Sequence, residues 1–468
     1  MSAVSKQALL RGLDFRSPDS AQYILERRNQ TFPCQTSTPV STSGGSRLIR
    51  IHVADGSPLR WLDNSTVRFT FTLENKGTEP LQMISGPWQL FQRCRMLLRG
   101  VMIHDQLWWG REYEMLYRLQ PTARSLDDLN EIPWAEPIQP KCKRRFSLDL
   151  FLGFLKTPMF TILEYAPITI ELELVTSPDE PFVGTGNKWE LEQPAITADV
   201  LFLDASFAQQ YSASVLAGNP LTYYPVGYVS QMWIAPNTDA FSIQMARSFA
   251  YVKTIYIHFN WESERPAFPK SGANPLVAIT DDDKVTPTAN SYEAYKAADA
   301  YELKYRRWQR MKSSTFFGLP ATEENPTEIF HPNPPPGRTE TVTPTELEVQ
   351  VVWGAHTFPS MPLKGTAQCY SSLRRATSEC CVGTTDITRE QFTTDSFIIA
   401  FNMEKARSGC GSSYAAFSGE SSMGGENMVV MFRGVRGIVP SGKQLQVWVT
   451  LSYDQTVRVR GDGVEVEQ

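Results

Sequence analysis

One segment of this 468-residue sequence has the spacing of a phosphate-binding loop. Gly437 is followed by Gly442 and Lys443, but Gln444 stands where such a loop needs a Ser or Thr to bind magnesium. A phosphate-binding loop also opens a helix, whose first backbone amides hold the phosphate, whereas residues 445–451 alternate as a strand. The segment therefore predicts a turn between two strands and no nucleotide chemistry.

Histidines and cysteines, which most often bind zinc or act as bases and nucleophiles, form no recognisable constellation. No H-E-x-x-H, G-x-S-x-G or C-x2-C sequence occurs, so we predict no catalytic residue, no metal site and no cofactor. An odd number of cysteines and no signal-peptide pattern in residues 1–10 predict reduced thiols in an intracellular compartment. These residues are His52, His104, His258, His331 and His356, and Cys34, Cys94, Cys142, Cys369, Cys380, Cys381 and Cys410.

A helix predicted from Ser291 to Ser314 mixes aromatic and basic side chains. This combination occurs where proteins bind single-stranded nucleic acid. The aromatic residues, however, recur every three or four positions, which is typical of a stripe that faces a core, and the basic residues lie on other faces. We therefore favour the structural interpretation. The aromatic residues are Tyr301, Tyr305 and Trp308, and the basic ones are Lys304, Arg306, Arg307, Arg310 and Lys312.

The last twelve residues predict a β-hairpin. A two-residue turn at Asp462-Gly463 would place Arg460 opposite Glu465 and Val459 opposite Val466. An isolated hairpin is only marginally stable, so its valine face predicts docking onto a sheet of its own chain or of a neighbour. The charged face is a predicted interface, formed by Arg458, Arg460, Glu465 and Glu467.

The predicted turn also contains a receptor-type tripeptide. Arg460, Gly461 and Asp462 spell the sequence that integrins bind. A tripeptide this short also arises by chance, and Gly and Asp are common turn residues. We therefore favour turn chemistry and keep receptor binding as the alternative.

Most of the chain is predicted to form strands in which apolar and polar residues alternate. Two strand series are separated by a helix at Ala205–Ala217 and by Gly218-Asn219-Pro220, a strong helix-stop signal. Further helices are predicted at Trp109–Gln120 and Leu363–Ser378. The predicted strands are 48–53, 66–73, 96–104, 145–152, 168–175 and 196–203 before the break, and 221–234, 241–245, 251–260, 347–353, 397–402, 428–432 and 444–453 after it.

The pattern predicts an all-β fold with short helical insertions, in which two jelly-roll β-sandwiches follow one another. The first sandwich spans residues 47–218 and the second 219–456, with a long insertion at 261–345 and the hairpin at 457–468. Residues 1–46 are expected to form a flexible, slightly basic N-terminal arm with a short helix at Ser20–Arg28.

Composition excludes several classes of protein. Hydrophobic residues make up 41% of the chain and charged residues 20%, which is typical of a soluble, folded protein. The 45 basic and 50 acidic residues give a net charge of −5, so DNA binding over the whole surface is not expected. The most apolar stretch, Phe146–Val175, carries too many charges and prolines to cross a membrane.

Three parts of the sequence resemble the double jelly-roll major capsid proteins, in the form found in Polinton-like viruses, adintoviruses and virophages. The large nucleocytoplasmic DNA viruses are more distant. The segments that carry the resemblance are Phe69–Leu73, Met96–Asp105 and Trp108–Glu114 in the first roll, Ile196–Gly218 between the rolls, and Phe397–Phe401, Gly425–Phe432 and Val447–Asp454 in the second roll.

The resemblance implies a homotrimer whose six rolls form a pseudo-hexagonal capsomer, which tiles an icosahedral shell around a double-stranded DNA genome. It implies no catalytic residue and no small-molecule substrate. The implied partners are further copies of the chain, penton and minor capsid proteins, and genomic DNA or an inner membrane through the N-terminal arm. The implied location is the virion, with assembly inside the host cell. Exposed aromatics such as Trp108, Trp109 and Trp134 would then belong to contacts between subunits.

Two alternatives from other classes remain. Paired jelly rolls also occur in peptide:N-glycanase-like glycoamidases, although a secreted enzyme should bring a signal peptide and disulfides. A carbohydrate-binding β-sandwich lectin is the second alternative, which the aromatic content of 11% permits.

Overall fold

A computed structural model describes residues 23–467, except for 121–136, 262–346, 379–384, 406–418, 422–426, 435–444 and gaps of four residues or fewer. Two β-sandwiches dominate this part of the chain, and three short helices connect or cover them. Most of the predicted long insertion, the helix predicted at Ser291–Ser314 and the turn at Gly437–Gln444 lie outside the described residues. No helix in the described part is long and apolar enough to span a membrane.

The first sandwich is formed by the strands up to residue 203. One sheet has the order β7-β4-β10-β3-β8, with β1 paired to β10, and the facing sheet has the order β2-β9-β5-β6. The strands are β1 (Ile24–Pro33), β2 (Leu48–Val53), β3 (Arg60–Asp63), β4 (Arg68–Asn75), β5 (Phe91–Leu98), β6 (Val101–Gln106), β7 (Lys143–Asp149), β8 (Phe160–Ile162), β9 (Ile168–Leu174) and β10 (Trp189–Leu203).

The second sandwich repeats this arrangement after residue 225. Its sheets have the orders β12-β19-β14-β17 and β13-β18-β15-β16. A separate three-stranded sheet has the order β11-β20-β21. The strands are β11 (Leu221–Tyr223), β12 (Val226–Ile234), β13 (Ala240–Gln244), β14 (Val252–Trp261), β15 (Glu348–Trp353), β16 (His356–Lys364), β17 (Ile398–Asn402), β18 (Met428–Arg433), β19 (Leu445–Asp454), β20 (Thr456–Val459) and β21 (Val464–Glu467).

Alternation along the strands builds each core, because successive side chains point to opposite faces of a sheet. In β9, for example, Ile168, Ile170, Leu172 and Leu174 are all buried. The first core contains one large hydrophobic cluster from both sheets of the first sandwich, and the second core a corresponding cluster from the second.

Most of the predicted strands and helices are confirmed where the structure describes them. The predicted strand at 96–104 is instead formed by parts of two strands, β5 and β6, with a turn at Arg99 and Gly100, and the predicted strand at 221–234 is interrupted between β11 and β12. Strands β3, β8 and β16 were not predicted.

Three helices occur in the described residues: α1 (Trp109–Leu119), α2 (Ala205–Leu216) and α3 (Gly365–Ser378). Helix α2 follows β10 directly, and the Asp204 side chain caps it by accepting a hydrogen bond from the Ser206 backbone amide at 3.1 Å. Gly218 follows the helix with a φ of +92°, in the left-handed region that glycine favours. The chain thus turns sharply between the sandwiches at the predicted stop signal.

The prediction of a flexible arm over residues 1–46 is wrong for part of that range. Residues 24–33 are a strand rather than the end of a helix, because the long strand β10 supplies backbone partners along its whole outer edge. Farther on, Val40 is fully buried, and its backbone exchanges hydrogen bonds with Leu191 at 3.2 and 2.9 Å. Both contacts are with residues distant in sequence, so local composition could not predict them.

The predicted C-terminal hairpin exists, but its register differs. Val459 lies opposite Val464 and Arg458 opposite Glu465, a shift of two residues from the predicted pairing. Four residues, 460–463, form the turn, which the Arg460 amide closes by donating to the Gly463 carbonyl at 2.8 Å. Because the shift is two residues, the valines stay on one face and the charges on the other.

Candidate assembly surfaces

The joint between the two sandwiches is the most constrained part of the described structure. Helix α1 lies between them and is buried on both sides. Trp109, Tyr113 and Tyr117 belong to the first core, while Met115, Leu116 and Leu119 belong to the second. The expectation that Trp109 is exposed for subunit contacts is therefore wrong. Trp108 is half-buried, and Trp134 lies outside the described residues.

Gly153 allows the backbones of the two sandwiches to meet. It begins a short 3-10 helix, Gly153–Lys156, that lies against Val226 at the start of β12. A Cβ atom on residue 153 would lie 1.6 Å from the carbonyl oxygen of Val226, which is far inside contact distance. Glycine is thus the residue that this approach requires.

A buried carboxyl group lies at the same joint. Glu112 on α1 accepts hydrogen bonds from the Gln106 side chain at 2.6 Å and from the Ser230 hydroxyl at 2.9 Å. Ser230 belongs to β12, and its hydroxyl is also 2.8 Å from that of Thr450 in β19. Glu112 therefore connects the first sandwich to the second through one hydrogen-bonded network.

Burial controls the protonation of this region. It raises the pKa of Glu112 to about 8, which the hydrogen bonds from Ser230 and Gln106 only partly offset. Burial also lowers the pKa of His104 to about 4, and burial together with the Arg111 charge lowers that of His258 to about 3. Both histidines are therefore neutral at pH 7, and the ring of His258 stacks parallel on Trp448 with centroids 6.0 Å apart.

The C-terminal hairpin follows the last strand of the second sandwich and packs against the first sandwich. Val457 and Val459 are completely buried and belong to the first core. Strand β20 pairs with β11, and one Arg99 nitrogen donates to the carbonyls of Arg460 and Gly461 at 3.2 and 2.9 Å. The docking sheet is therefore within the same chain, which was one of the two predicted options.

The four charged residues predicted as an interface do lie together on the exposed face of the hairpin. Arg460 contacts Glu465 at 3.2 Å, and Arg458 contacts Glu467 at 3.0 Å and Glu465 at 3.9 Å. In the receptor-type tripeptide, Arg460 and Asp462 are exposed and Gly461 is half-buried. Interface and receptor roles for these residues remain predictions.

Substitutions in the hairpin should distinguish the contribution of its buried face to stability from that of its charged face. Val457→Ala or Val459→Ala should each lower the free energy of unfolding by about 2 kcal/mol, because each removes methyl groups from a filled core. Glu465→Gln, the control on the exposed face, should change it by less than about 0.5 kcal/mol. Urea unfolding followed by circular dichroism measures all three. Equal effects from the valine and glutamate variants would contradict the docked arrangement.

The outer edge of the first sandwich is protected against strand addition. Strand β1 pairs with β10 and carries mostly exposed, polar residues. Arg27 contacts Asp199 at 2.7 Å and Asp63 at 3.1 Å across neighbouring strands. Charged side chains on an edge strand oppose pairing with another chain. The β1 edge of the first sandwich therefore does not favour the addition of a strand from another chain.

Several of these residues were not expected from the sequence. The sequence pattern singles out neither Glu112 nor Gly153 nor Arg99. An acidic residue among aromatic neighbours was the only available signal for Glu112. In the residues that the structure describes, no group of three or more His, Cys, Asp or Glu side chains is arranged to hold a metal ion.

Comparisons with known proteins show which solved structures share this fold. No protein-family model matches the sequence, and no curated protein matches it significantly. Among solved structures, PBCV-1 VP54, fitted into a reconstruction of the virophage Sputnik, aligns with a TM-score of 0.58 at 10% identity, over 97% of this chain and 100% of that one. A chain of the Sputnik virophage structure aligns at 0.55 and 9% identity, covering 100% and 93%. The Faustovirus major capsid protein aligns at 0.51 and 7%, covering 97% and 93%.

These alignments extend over nearly the whole chain, so both sandwiches and their order are shared. The chain has the double jelly-roll fold of these viral proteins, and the predicted fold class is confirmed. At 10% identity or less, the similarity concerns the backbone arrangement and identifies no individual residue role.

Proposed function

We propose that this chain is the major capsid protein of a DNA virus. The observation that carries the proposal is the succession of two jelly rolls, joined through α1 and the hairpin, in the same order as in capsid proteins. The Faustovirus protein with this fold is a major capsid protein by name. Two rolls that share the buried helix α1 suit a shell subunit, because a lattice needs identical units of fixed shape.

In the proposed assembly, three copies form a homotrimer. Two similar rolls per chain give six rolls per trimer, and such a capsomer has a nearly hexagonal outline that can tile an icosahedral shell. Penton and minor capsid proteins would complete the shell. The charged face of the hairpin, with Arg458, Arg460, Glu465 and Glu467, is a proposed contact in this lattice, because four exposed charges on one face favour a polar partner.

Because residues 24–33 form β1, only residues 1–22 of the N-terminal arm are proposed to contact genomic DNA or an inner membrane. Residues 1–22 carry Lys6, Arg11 and Arg16 against two acidic residues, Asp14 and Asp19. This surplus is small, so any DNA contact would be weak and sensitive to salt.

The two alternatives are less well supported. A glycoamidase needs a catalytic constellation, whereas the buried Glu112 is hydrogen-bonded to Gln106 and Ser230 in a network between the rolls. A lectin needs an open aromatic platform, whereas Trp448 packs against both Trp108 and His258. We therefore propose a structural protein without catalytic activity.

Size-exclusion chromatography with light scattering tests the proposed trimer. We expect purified protein to elute with a mass three times the 52.8 kDa of one chain, together with larger assemblies. A chain that stays monomeric at every concentration and salt condition would contradict the proposal. Glycan or glycopeptide turnover by the monomer would instead support the enzyme alternative.

A further inference from the structure

Helix α2 exposes an unusual surface. Its sequence, ASFAQQYSASVL, contains no charged residue, although only Ala208 and Val215 are buried. Exposed helical faces in soluble proteins usually carry charges, and the loss of charged residues is the compositional mark of a surface that something covers. The helix is held on the first roll by Phe207 and Tyr211, whose rings lie beside that of Trp61.

Large apolar side chains extend this surface on both sides. Leu216, the last residue of α2, is 72% exposed, and Tyr211 is 39% exposed. On strand β1, Leu25 lies at a shift in the register with β10 and is 67% exposed, and Tyr23 just before the strand is 43% exposed. We call Tyr23, Leu25, Tyr211, Leu216 and the exposed side of α2 the α2 surface. An uncharged surface with four large apolar side chains fits a covering partner.

The chain itself supplies a candidate at the right place. Tyr23 lies directly on α2, because its ring stacks on that of Phe207 with centroids 4.4 Å apart, and its carbonyl accepts a hydrogen bond from the Asp204 amide at 2.9 Å. Residues 1–22 therefore join the described structure at the edge of the α2 surface. We propose that residues 1–22 lie across the α2 surface of their own chain.

The composition of residues 1–22 fits this position. Their apolar side chains can cover the α2 surface, while their three basic and two acidic residues remain in water. Because the α2 surface carries no charge, covering it buries no unpaired charged group. The apolar residues available are Val4, Ala8, Leu9, Leu10, Leu13 and Phe15.

Tethering favours the same chain over a neighbour. The segment starts in contact with the surface that it would cover, and a short tether gives an effective concentration in the millimolar range. Helix α2 is only about 18 Å long at 1.5 Å per residue, so 22 residues are ample to cover it. If residues 1–22 cover the α2 surface, they can contact DNA or a membrane only through their basic side chains, which would face away from α2.

Photo-crosslinking of the full chain tests the proposal. Benzoylphenylalanine placed at the exposed position Gln209 or Ala213 of α2 should form cross-links to peptides from residues 1–22. The same probe at Thr357, an exposed position of β16 in the second roll, is the control and should not react with them. Protein assembled from equal amounts of light and ¹⁵N-labelled chains should give cross-links of one isotope only. Mixed-isotope cross-links, or products with any other segment, would overturn the proposal.

Substitutions in the segment provide a second measurement that does not disturb the rolls. Leu9→Asp with Leu10→Asp should reduce the cross-linking yield about tenfold, because each leucine loses its buried area. Ser5→Asp with Ser17→Asp adds the same charge at polar positions and should leave the yield unchanged. Equal yields from both pairs would also overturn the proposal.

Discussion

Gly153→Ala should disrupt the joint between the two jelly rolls. The added Cβ would lie 1.6 Å from the Val226 carbonyl oxygen. The position of a Cβ is fixed by its own backbone, and the oxygen is a backbone atom, so no change of side-chain rotamer can relieve the clash. The first roll and β12 must therefore separate, which we expect to cost about 3 kcal/mol or more and to lower the melting temperature by about 5 °C or more. Scanning calorimetry should also show the single transition broadening or splitting as the rolls lose contact.

The matched control is another glycine in the same roll. Gly56 lies in an exposed turn, and a Cβ there would meet nothing within 4 Å. Gly56→Ala should therefore leave the melting temperature nearly unchanged. If Gly153→Ala melted like the Gly56→Ala control, the close approach of the rolls at Val226 would be wrong.

Glu112 should make the stability of the subunit depend on pH. Burial raises its pKa from 4.5 to about 8, so the folded chain holds a proton that the unfolded chain releases. The contribution of this proton to the free energy of unfolding is fully present below pH 4.5 and is lost as the pH rises to about 8. The loss should be on the order of 5 kcal/mol. Glu112→Gln, which keeps hydrogen-bonding groups but cannot ionise, should remove this loss and be the more stable protein at pH 8.5.

Comparison of the two proteins isolates the contribution of Glu112. The buried histidines, His104 and His258, act in the opposite direction below pH 6.5, and they are present in both proteins. Burial raises the pKa of Tyr453, beside Glu112, to about 12, so this residue titrates above the window. Glu465→Gln is the control for loss of an exposed carboxylate. Parallel stability curves for wild type and Glu112→Gln between pH 5 and 8.5 would contradict a buried, protonated Glu112.

Local pattern was sufficient to predict most of the fold. Strands such as β2 and β9 alternate strictly because one face of each is buried in a core, and the glycine that follows α2 marks the turn between the rolls. These signals depend on a residue and its near neighbours, which is why they can be found in one sequence.

The missing parts depend on contacts between distant residues. Strand β1 exists because β10 has a free edge, and its own exposed, polar residues give no strand pattern. Glu112 is buried because α1 lies between two rolls, whereas a helix on a single roll would leave that side in water. Gly153 is required by a backbone 73 positions away along the chain, and no local pattern reports such an approach.

Electron cryomicroscopy of the purified assemblies tests the proposed capsid function most directly. We expect capsomers of three chains with six jelly rolls arranged in a nearly hexagonal outline, and closed icosahedral shells built from them. In the same reconstruction, the two rolls of each chain should meet at Gly153 and Val226. Single chains or small clusters without a repeating six-roll unit, observed at concentrations at which the protein is folded, would contradict the capsid proposal.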